Sequence, residues 1–321
     1  MATDVKDVLG SPVKRVEDPR FITGQGRYLD DIKLTGMAHL AILRSPYAHA
    51  NIRSVDTSKA KGMPGVLAVI VGADIPYNPL PMAWPAGGAS GIQNNVSTPR
   101  VLATDSVKWT GEGVAAVVAE TPEQAVDALD AIEVDYEPLP AVVDMEEAAK
   151  DELLLHPEAG TNVVMKLGEP YDESFFDGCE VVVSERILNQ RVAVAPLEVR
   201  STAAAWDGER LTVWCSTQGP QGARDGFQGA LGLEPGQVHL IAPDVGGGFG
   251  AKTGVSSEDL VTAWLARHLG RSTRWTETRT ENMLAMGHGR AQDQTVTIGG
   301  TKDGTVLAYK LDVLGDAGGY P

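Results

Sequence analysis

The segment IAPDVGGGFGAKTG, residues 241–254, constrains the fold more than any other stretch of this chain. Three consecutive glycines, an aromatic, a fourth glycine and a lysine stand between the apolar run VHLIAPDV and a helical pattern. Consecutive glycines let main-chain N–H groups approach an oxyanion or an oxo ligand with no side chain in the way, and a helix start close by adds a favourable dipole. Strand, glycine loop, Lys252, Thr253, helix is also the order of a phosphate-binding loop, with Gly246 at the right distance before the lysine. That order fails in detail. A P-loop needs glycine directly before its lysine, where this chain has Ala251, and its helix begins at the lysine, whereas Gly254 and the capping pair Ser256 and Asp259 place the helix later. Nor does a good apolar strand end in a magnesium-binding aspartate; YKLDVLGD is the nearest. On the residues alone, a nucleotide-binding NTPase loop and a turn where backbones pack closely both stay open.

Composition narrows the partners. With 43% hydrophobic residues in 321, the chain can bury the cores of about two domains. Forty-three acidic residues against 27 basic ones give a net charge of −16, which repels polyanions, so no nucleic acid is expected. No apolar run reaches the length of a membrane span, and MATDVKDVLGSPVKRVEDPR lacks the apolar centre of a signal peptide; the expectation is a cytoplasmic protein. Cys179 and Cys215 are far apart with no CxxC spacing, which leaves no iron–sulfur or thiolate zinc site, and both read as small core residues. The six histidines show no HExxH or paired spacing and are assigned to no metal.

Along the chain, MAHLAIL and VLAVIV read as strands, the second after the Pro64-Gly65 turn signal. Residues 75–99, including Met82, Trp84 and Pro85, are rich in Pro, Gly and Asn and read as a long loop, a candidate wall of an access channel. After VAAVVA, Thr121, Pro122 and Gln124 predict a capped helix start, with Ala125, Ala128 and Leu129 on one face, and IEVDYEPLP predicts a strand running into a connector. Then CEVVVSERI, TAAAWDG and LTVWCSTQ alternate as strands, the last two joined by an Asp207-Gly208 hairpin turn. In SSEDLVTAWLARHLG, residues Leu260, Val261, Trp264, Leu265, His268 and Leu269 share a helical face, and Gly270 suits a left-handed C-cap. The class is α+β.

These residues resemble a known family. DVGGGFGAK, with STQ upstream and RHLGRSTRWTETRTENM downstream, is similar to the large molybdenum-binding subunit of the xanthine dehydrogenase, aldehyde oxidase and carbon monoxide dehydrogenase family. The stretch from FITGQGRYLDD to VGADI resembles the N-terminal half of that family's hammerhead domain, and WTGEGVAAVVAETPEQ to PLPAVVD its second half. The resemblance implies an N-terminal extension over 1–17, a hammerhead domain over 18–145, a linker over 146–175 and the first part of an α/β molybdopterin-binding domain, truncated or split, over 176–321. It also implies a molybdenum ion held by a pterin cofactor, molybdopterin cytosine dinucleotide, with no direct protein ligand to the metal. Gln218 and Gly219 would lie on one side of that cofactor and Gly247, Gly248, Phe249 and Gly250 on another, although Gln218 also suits a plain turn before Gly219-Pro220. The implied reaction oxidises an aldehyde, an N-heteroaromatic ring or carbon monoxide with oxygen from water. Electrons would pass to a 2Fe–2S small subunit and an FAD-binding medium subunit, for which this chain has neither the cysteines nor a flavin fingerprint.

The chain departs from the family in three places. Thr253 stands where purine-oxidising members have an acidic residue, and is the candidate substrate contact. PLEVRSTAA replaces the common Glu-Pro-Arg-Gly, so Glu198 and Arg200 read as structural. No catalytic residue is expected in this chain: the glutamate base is expected beyond residue 321, on a continuation or on a separate chain carrying the C-terminal half. A non-catalytic cofactor-binding or assembly module is the alternative.

Overall fold

A computed structural model describes residues 10–76, 93–94, 99–168 and 171–320. Most of the long Pro/Gly/Asn-rich stretch, with Met82, Trp84 and Pro85, lies outside the described residues. The first strands follow from apolar patterning. In β1 (Ala38–Arg44) the residues Ala38, Leu40 and Ile42 are buried in alternation. β2 (Ala50–Asp56) and β3 (Val66–Val71) precede β4 (Gly113–Ala119), whose unbroken Val/Ala run is buried on both faces. α1 (Pro122–Leu129) starts at the expected capping box, where Thr121 Oγ1 accepts from the Gln124 N–H at 3.3 Å and Gln124 Oε1 accepts from the Thr121 N–H at 3.2 Å. β5 (Glu133–Pro138) then pairs antiparallel with β2.

The longer elements after them are β6 (Val181–Val192), β7 (Ser201–Trp206), β8 (Leu211–Cys215), α2 (Pro220–Ala230), β9 (Val238–Ile241), α3 (Ser257–Leu269), β10 (Thr273–Thr276), α4 (Arg279–Ala285), β11 (Gly289–Gly300) and β12 (Val306–Gly315). Asp207 makes the β7–β8 turn, its Oδ1 accepting from the N–H groups of Glu209 and Arg210 at 3.0 and 2.7 Å. α2 had no counterpart in the sequence reading, because Gly222, Gly226 and Gly229 disguise an eleven-residue helix. Gly226 is there for close approach: a Cβ on it would sit 2.8 Å from Val255 Cγ2.

Seven strands form one sheet in the order β9-β8-β7-β10-β1-β4-β3. Its centre is the parallel pairing of β1 with β10, Ala38 opposite Thr273 and Leu40 opposite Trp275. The sheet therefore spans the stretch over 146–175 and ties early strands to late ones. α3 packs on β7 and β10, and nine consecutive residues from Glu258 to Ala266 are buried, so it is enclosed on all sides rather than along one stripe. His268, expected on the buried face, is exposed and stacks on Trp264 with ring centroids 4.8 Å apart, because the helix emerges from the core in its last turn. Gly270 closes α3 with φ +60°. Cys215 is buried as expected; Cys179 is only half-buried, lying against Gly299 of β11 rather than in the core. A second, three-stranded sheet runs β12-β11-β6, all antiparallel. Among the described residues no helix is long and apolar enough to cross a membrane.

Candidate functional site

Three segments meet at the glycine loop: residues 195–200 before β7, residues 216–219 after β8, and residues 244–254 after β9. Glu198 pins the loop from below. Its N–H donates to the Gly246 carbonyl at 3.1 Å, and its Oε2 accepts from the Gly246 N–H at 2.8 Å and from Ser216 Oγ at 2.6 Å. Lys252 turns into the same space. Its Nζ donates to the Glu198 carbonyl at 2.8 Å, to Glu198 Oε2 at 3.1 Å and to Ser216 Oγ at 2.8 Å, and the residue is 3% exposed. Burial pulls the ammonium's pKa down, and the Glu198 carboxylate opposes that shift. An ammonium has three donors, and all three are spent inside the protein. The lysine of a phosphate loop must instead face its ligand, and α3 begins only at Ser257, so the nucleotide-loop reading fails on geometry.

Gln218 stitches the loop from the side. Its N–H donates to the Lys252 carbonyl at 2.8 Å, and its Oε1 accepts from the N–H groups of Gly250 at 2.9 Å and Lys252 at 3.3 Å. With Oε1 engaged, the exposed Gln218 has its Nε2 amide left to offer, which is a donor only. Gly248 is buried against this amide, and a Cβ there would lie 2.4 Å from Gln218 Cδ. Phe249 sits in the left-handed region at φ +52° and is 76% exposed. Both features are unfavourable for a large apolar residue, and such outliers gather at ligand sites. Gly250, at φ +91°, has open space where a Cβ would point. At the loop's start, Asp244 is bonded to the Arg20 guanidinium and accepts from the Arg27 N–H at 2.7 Å; the Arg20 hydrogen bond, first, holds its carboxyl down at about 2.

A family profile described as "Molybdopterin cofactor-binding domain" matches residues 155–321, and one described as "Aldehyde oxidase and xanthine dehydrogenase, a/b hammerhead domain" matches residues 23–140. The chain belongs to the aldehyde oxidase and xanthine dehydrogenase family. It is 37% identical to the carbon monoxide dehydrogenase large chain of Afipia carboxidovorans over 97% of this chain and 40% of that one. It is 35% identical to the nicotine 6-hydroxylase large subunit of Paenarthrobacter nicotinovorans over 98% of this chain and 39% of that one. The fold superposes on quinoline 2-oxidoreductase from Pseudomonas putida 86 with a TM-score of 0.89 at 36% identity, covering 97% of this chain and 40% of that one. The chain thus spans about two fifths of the length of these relatives.

In this family member the six glycine-loop and Gln218-turn positions picked from sequence come together. Gly219 is the N-cap of α2, its N–H donating to Thr217 Oγ1 at 3.2 Å. Gly247 lies between Pro196 and Phe249. Thr253 is exposed beside them, but its hydroxyl donates to the Gly250 carbonyl at 3.0 Å and so serves the loop itself. Glu198, read as structural, turns out to be the loop's main support; only its folded partners, Lys252 among them, could show that.

Arg200 has a different role. Between β7 and α3 its guanidinium donates to Glu277 Oε1 at 3.1 Å and Glu258 Oε2 at 3.1 Å, while Arg44 reaches the other oxygen of Glu258 at 2.8 Å and Glu281 at 2.9 Å. Burial pushes the Glu258 carboxyl up, but Arg200 and Arg44 outweigh it and bring it to about 2. Nearby, burial pushes Glu112 up to about 8. A cavity of about 210 Å³ runs between these groups, and it is separate from the glycine loop. Among the described residues no three His, Cys, Asp or Glu side chains gather to hold a metal ion.

Proposed function

We propose that this chain forms the part of a molybdenum hydroxylase large subunit that seats the metal end of the cofactor. One observation carries the reading: every charge under the glycine loop is neutralised from below, while the upper side keeps neutral donors, free space at Gly250 and an exposed aromatic wall. A bulky cofactor that brings its own metal ligands fits such a seat, and a charged phosphate group that needs a cation does not.

Gln218 would present its Nε2 amide to an acceptor oxygen of the group, and Phe249 and Gly250 would face it from another side, with Gly247 and Gly248 giving the main chain room to approach. When bound, the molybdenum cofactor supplies two-electron oxidation of a substrate carbon with oxygen from water. The residues here place and shape it, and the Gln218 bonds to Gly250 and Lys252 keep the donor from rotating away. Glu198 is held by Gly246, Ser216 and Lys252, so the base that activates water is assigned to polypeptide outside these residues.

The names of the relatives support a small substrate, an aldehyde, an N-heteroaromatic ring or carbon monoxide. We assign the cofactor its cytosine dinucleotide form, and the onward electron path to a 2Fe–2S small subunit and an FAD-binding medium subunit in a cytoplasmic complex. Two cysteines are too few for a four-thiolate cluster in this chain. The test is metal and nucleotide analysis of the complex purified from its native host. Molybdenum and cytosine nucleotide near one per chain are expected; their absence would leave a non-catalytic module.

A further inference from the structure

The cavity beside the Arg200 network is walled by early and late parts of the chain. Arg44 comes from β1, Trp109 and Glu112 from the turn before β4, and Val255 and Val261 from α3 and the residues that lead into it. Two of these walls hold polar atoms that the protein leaves open. Arg44 donates through Nε to Glu281 Oε1 at 2.9 Å and through Nη1 to the Gly111 carbonyl at 3.1 Å, with Glu258 Oε1 2.8 Å from Nη1. Its buried Nη2 has no hydrogen-bond partner among the described residues. Glu112 Oε2 accepts from the Lys108 N–H at 2.6 Å, and its buried Oε1 likewise has none. The Arg44 side chain is 9% exposed and Glu112 is 2% exposed. A buried polar atom without a partner forfeits the hydrogen bonds it makes in water, and folded proteins leave few such atoms uncompleted.

The charges around the cavity already balance. Three guanidiniums, Arg44, Arg100 and Arg200, are set against three carboxylates, Glu258, Glu277 and Glu281. Glu112 adds no charge at neutral pH, because burial pushes it up to about 8; with Oε2 already accepting, its proton falls on Oε1. Both open atoms are then donors. Ile42, Leu102, Trp109, Val255 and Val261 make much of the remaining wall apolar, so water there would find few further partners. An apolar cavity of about 150 Å³ admits benzene, and about 210 Å³ admits a substituted ring. We propose that this cavity binds a small uncharged aromatic molecule bearing an acceptor-only carbonyl, a ketone or a tertiary amide, with its oxygen toward Arg44 Nη2 and Glu112 Oε1 and its ring on the apolar wall. Such an occupant touches β1 and α3 together and stabilises the seam between early and late elements. The proposal is independent of the molybdenum reading.

The test joins calorimetry to crystallography on the complex purified from its native host. The probe is para-bromoacetophenone, and para-bromobenzoate, nearly the same shape but charged, is the control. The ketone should bind in solution, and anomalous scattering should place its bromine in the cavity lined by Arg44, Trp109 and Glu112. The benzoate should bind at least about tenfold more weakly, because its charge has no unspent counter-ion there. Glu112→Gln keeps a donor and should hold the ketone within about threefold of the unaltered protein, whereas Glu112→Leu should weaken it at least about tenfold. Should Glu112→Leu unfold, Ala285→Phe fills the cavity from a half-buried position and should abolish binding. Four results would each overturn the proposal: no bromine in the cavity, binding at crystal concentration only, benzoate bound as tightly as the ketone, or ketone affinity untouched by Glu112→Leu and Ala285→Phe.

Discussion

Two buried cations organise two neighbouring regions, and they are neutralised in different ways. Lys252 turns all its donors down onto Glu198 and Ser216, and the loop above it is left with neutral main-chain groups and an open surface. Arg200 is gripped on both sides by Glu277 and Glu258, with Arg44 completing a network that joins β1, β7 and α3. In the first region a charge props up a surface meant for something else; in the second the charges are an end in themselves, fastening early strands to late ones. The charged residues nearest the glycines are scaffold, and a group seated above them would meet dipoles, shape and an aromatic ring.

The largest effect should come from opening the closed network. Arg200→Ala takes a cation from each of the buried carboxylates Glu277 and Glu258 and should lower stability by about 3–5 kcal/mol, read as a fall in the denaturant midpoint. Arg200→Met, similar in volume, should fall similarly if charge is the cause; full stability would make the network decorative. Next is the loop's prop. Lys252→Met strands the Glu198 carboxylate and should cost about 1–3 kcal/mol, with faster amide exchange confined to residues 244–254. Exchange spreading through β1 and β10 instead would erase the distinction between the two regions.

Acidity separates two buried carboxyls within the second region. Glu258, held near 2, contributes stability that is full above about 4.5 and is lost as pH falls through about 2. Glu112, raised from 4.5 to about 8, works the other way: the folded state keeps a proton that the unfolded chain gives up, so stability falls as pH rises from 4.5 to about 8. Glu112→Gln should flatten that decline in unfolding curves recorded between those limits, and an unchanged slope would contradict a protonated Glu112. The smallest structural effect belongs to Phe249→Ala. Because the ring is 76% exposed, stability should move by less than about 0.5 kcal/mol, while turnover of the assembled enzyme drops. Unchanged turnover would remove Phe249 from the site.

Local chemistry was readable along the chain. Thr121 with Gln124, Ser256 with Asp259, and the Asp207 turn are signals complete within a few residues, and each forms as its side chains dictate. Thr278 with Glu281 is an equally local box that starts α4. Interactions across distance were not legible. β1 pairs with β10 although Leu40 and Trp275 are far apart in sequence, and nothing in either strand names the other. The same holds in the site: the glycines announce an approach surface, but that Lys252 faces away from it is decided by Glu198, 54 residues earlier.

Gly248 tests most directly the proposal that the glycine loop seats the molybdenum cofactor. A Cβ at this position meets Gln218 at 2.4 Å and must displace the side chain that would face the group. Gly248→Val and the unaltered protein, purified side by side from the native host, are compared for molybdenum by mass spectrometry and for thermal unfolding. The variant is expected to melt close to the unaltered protein and to carry little molybdenum. A variant that loads molybdenum fully would contradict it.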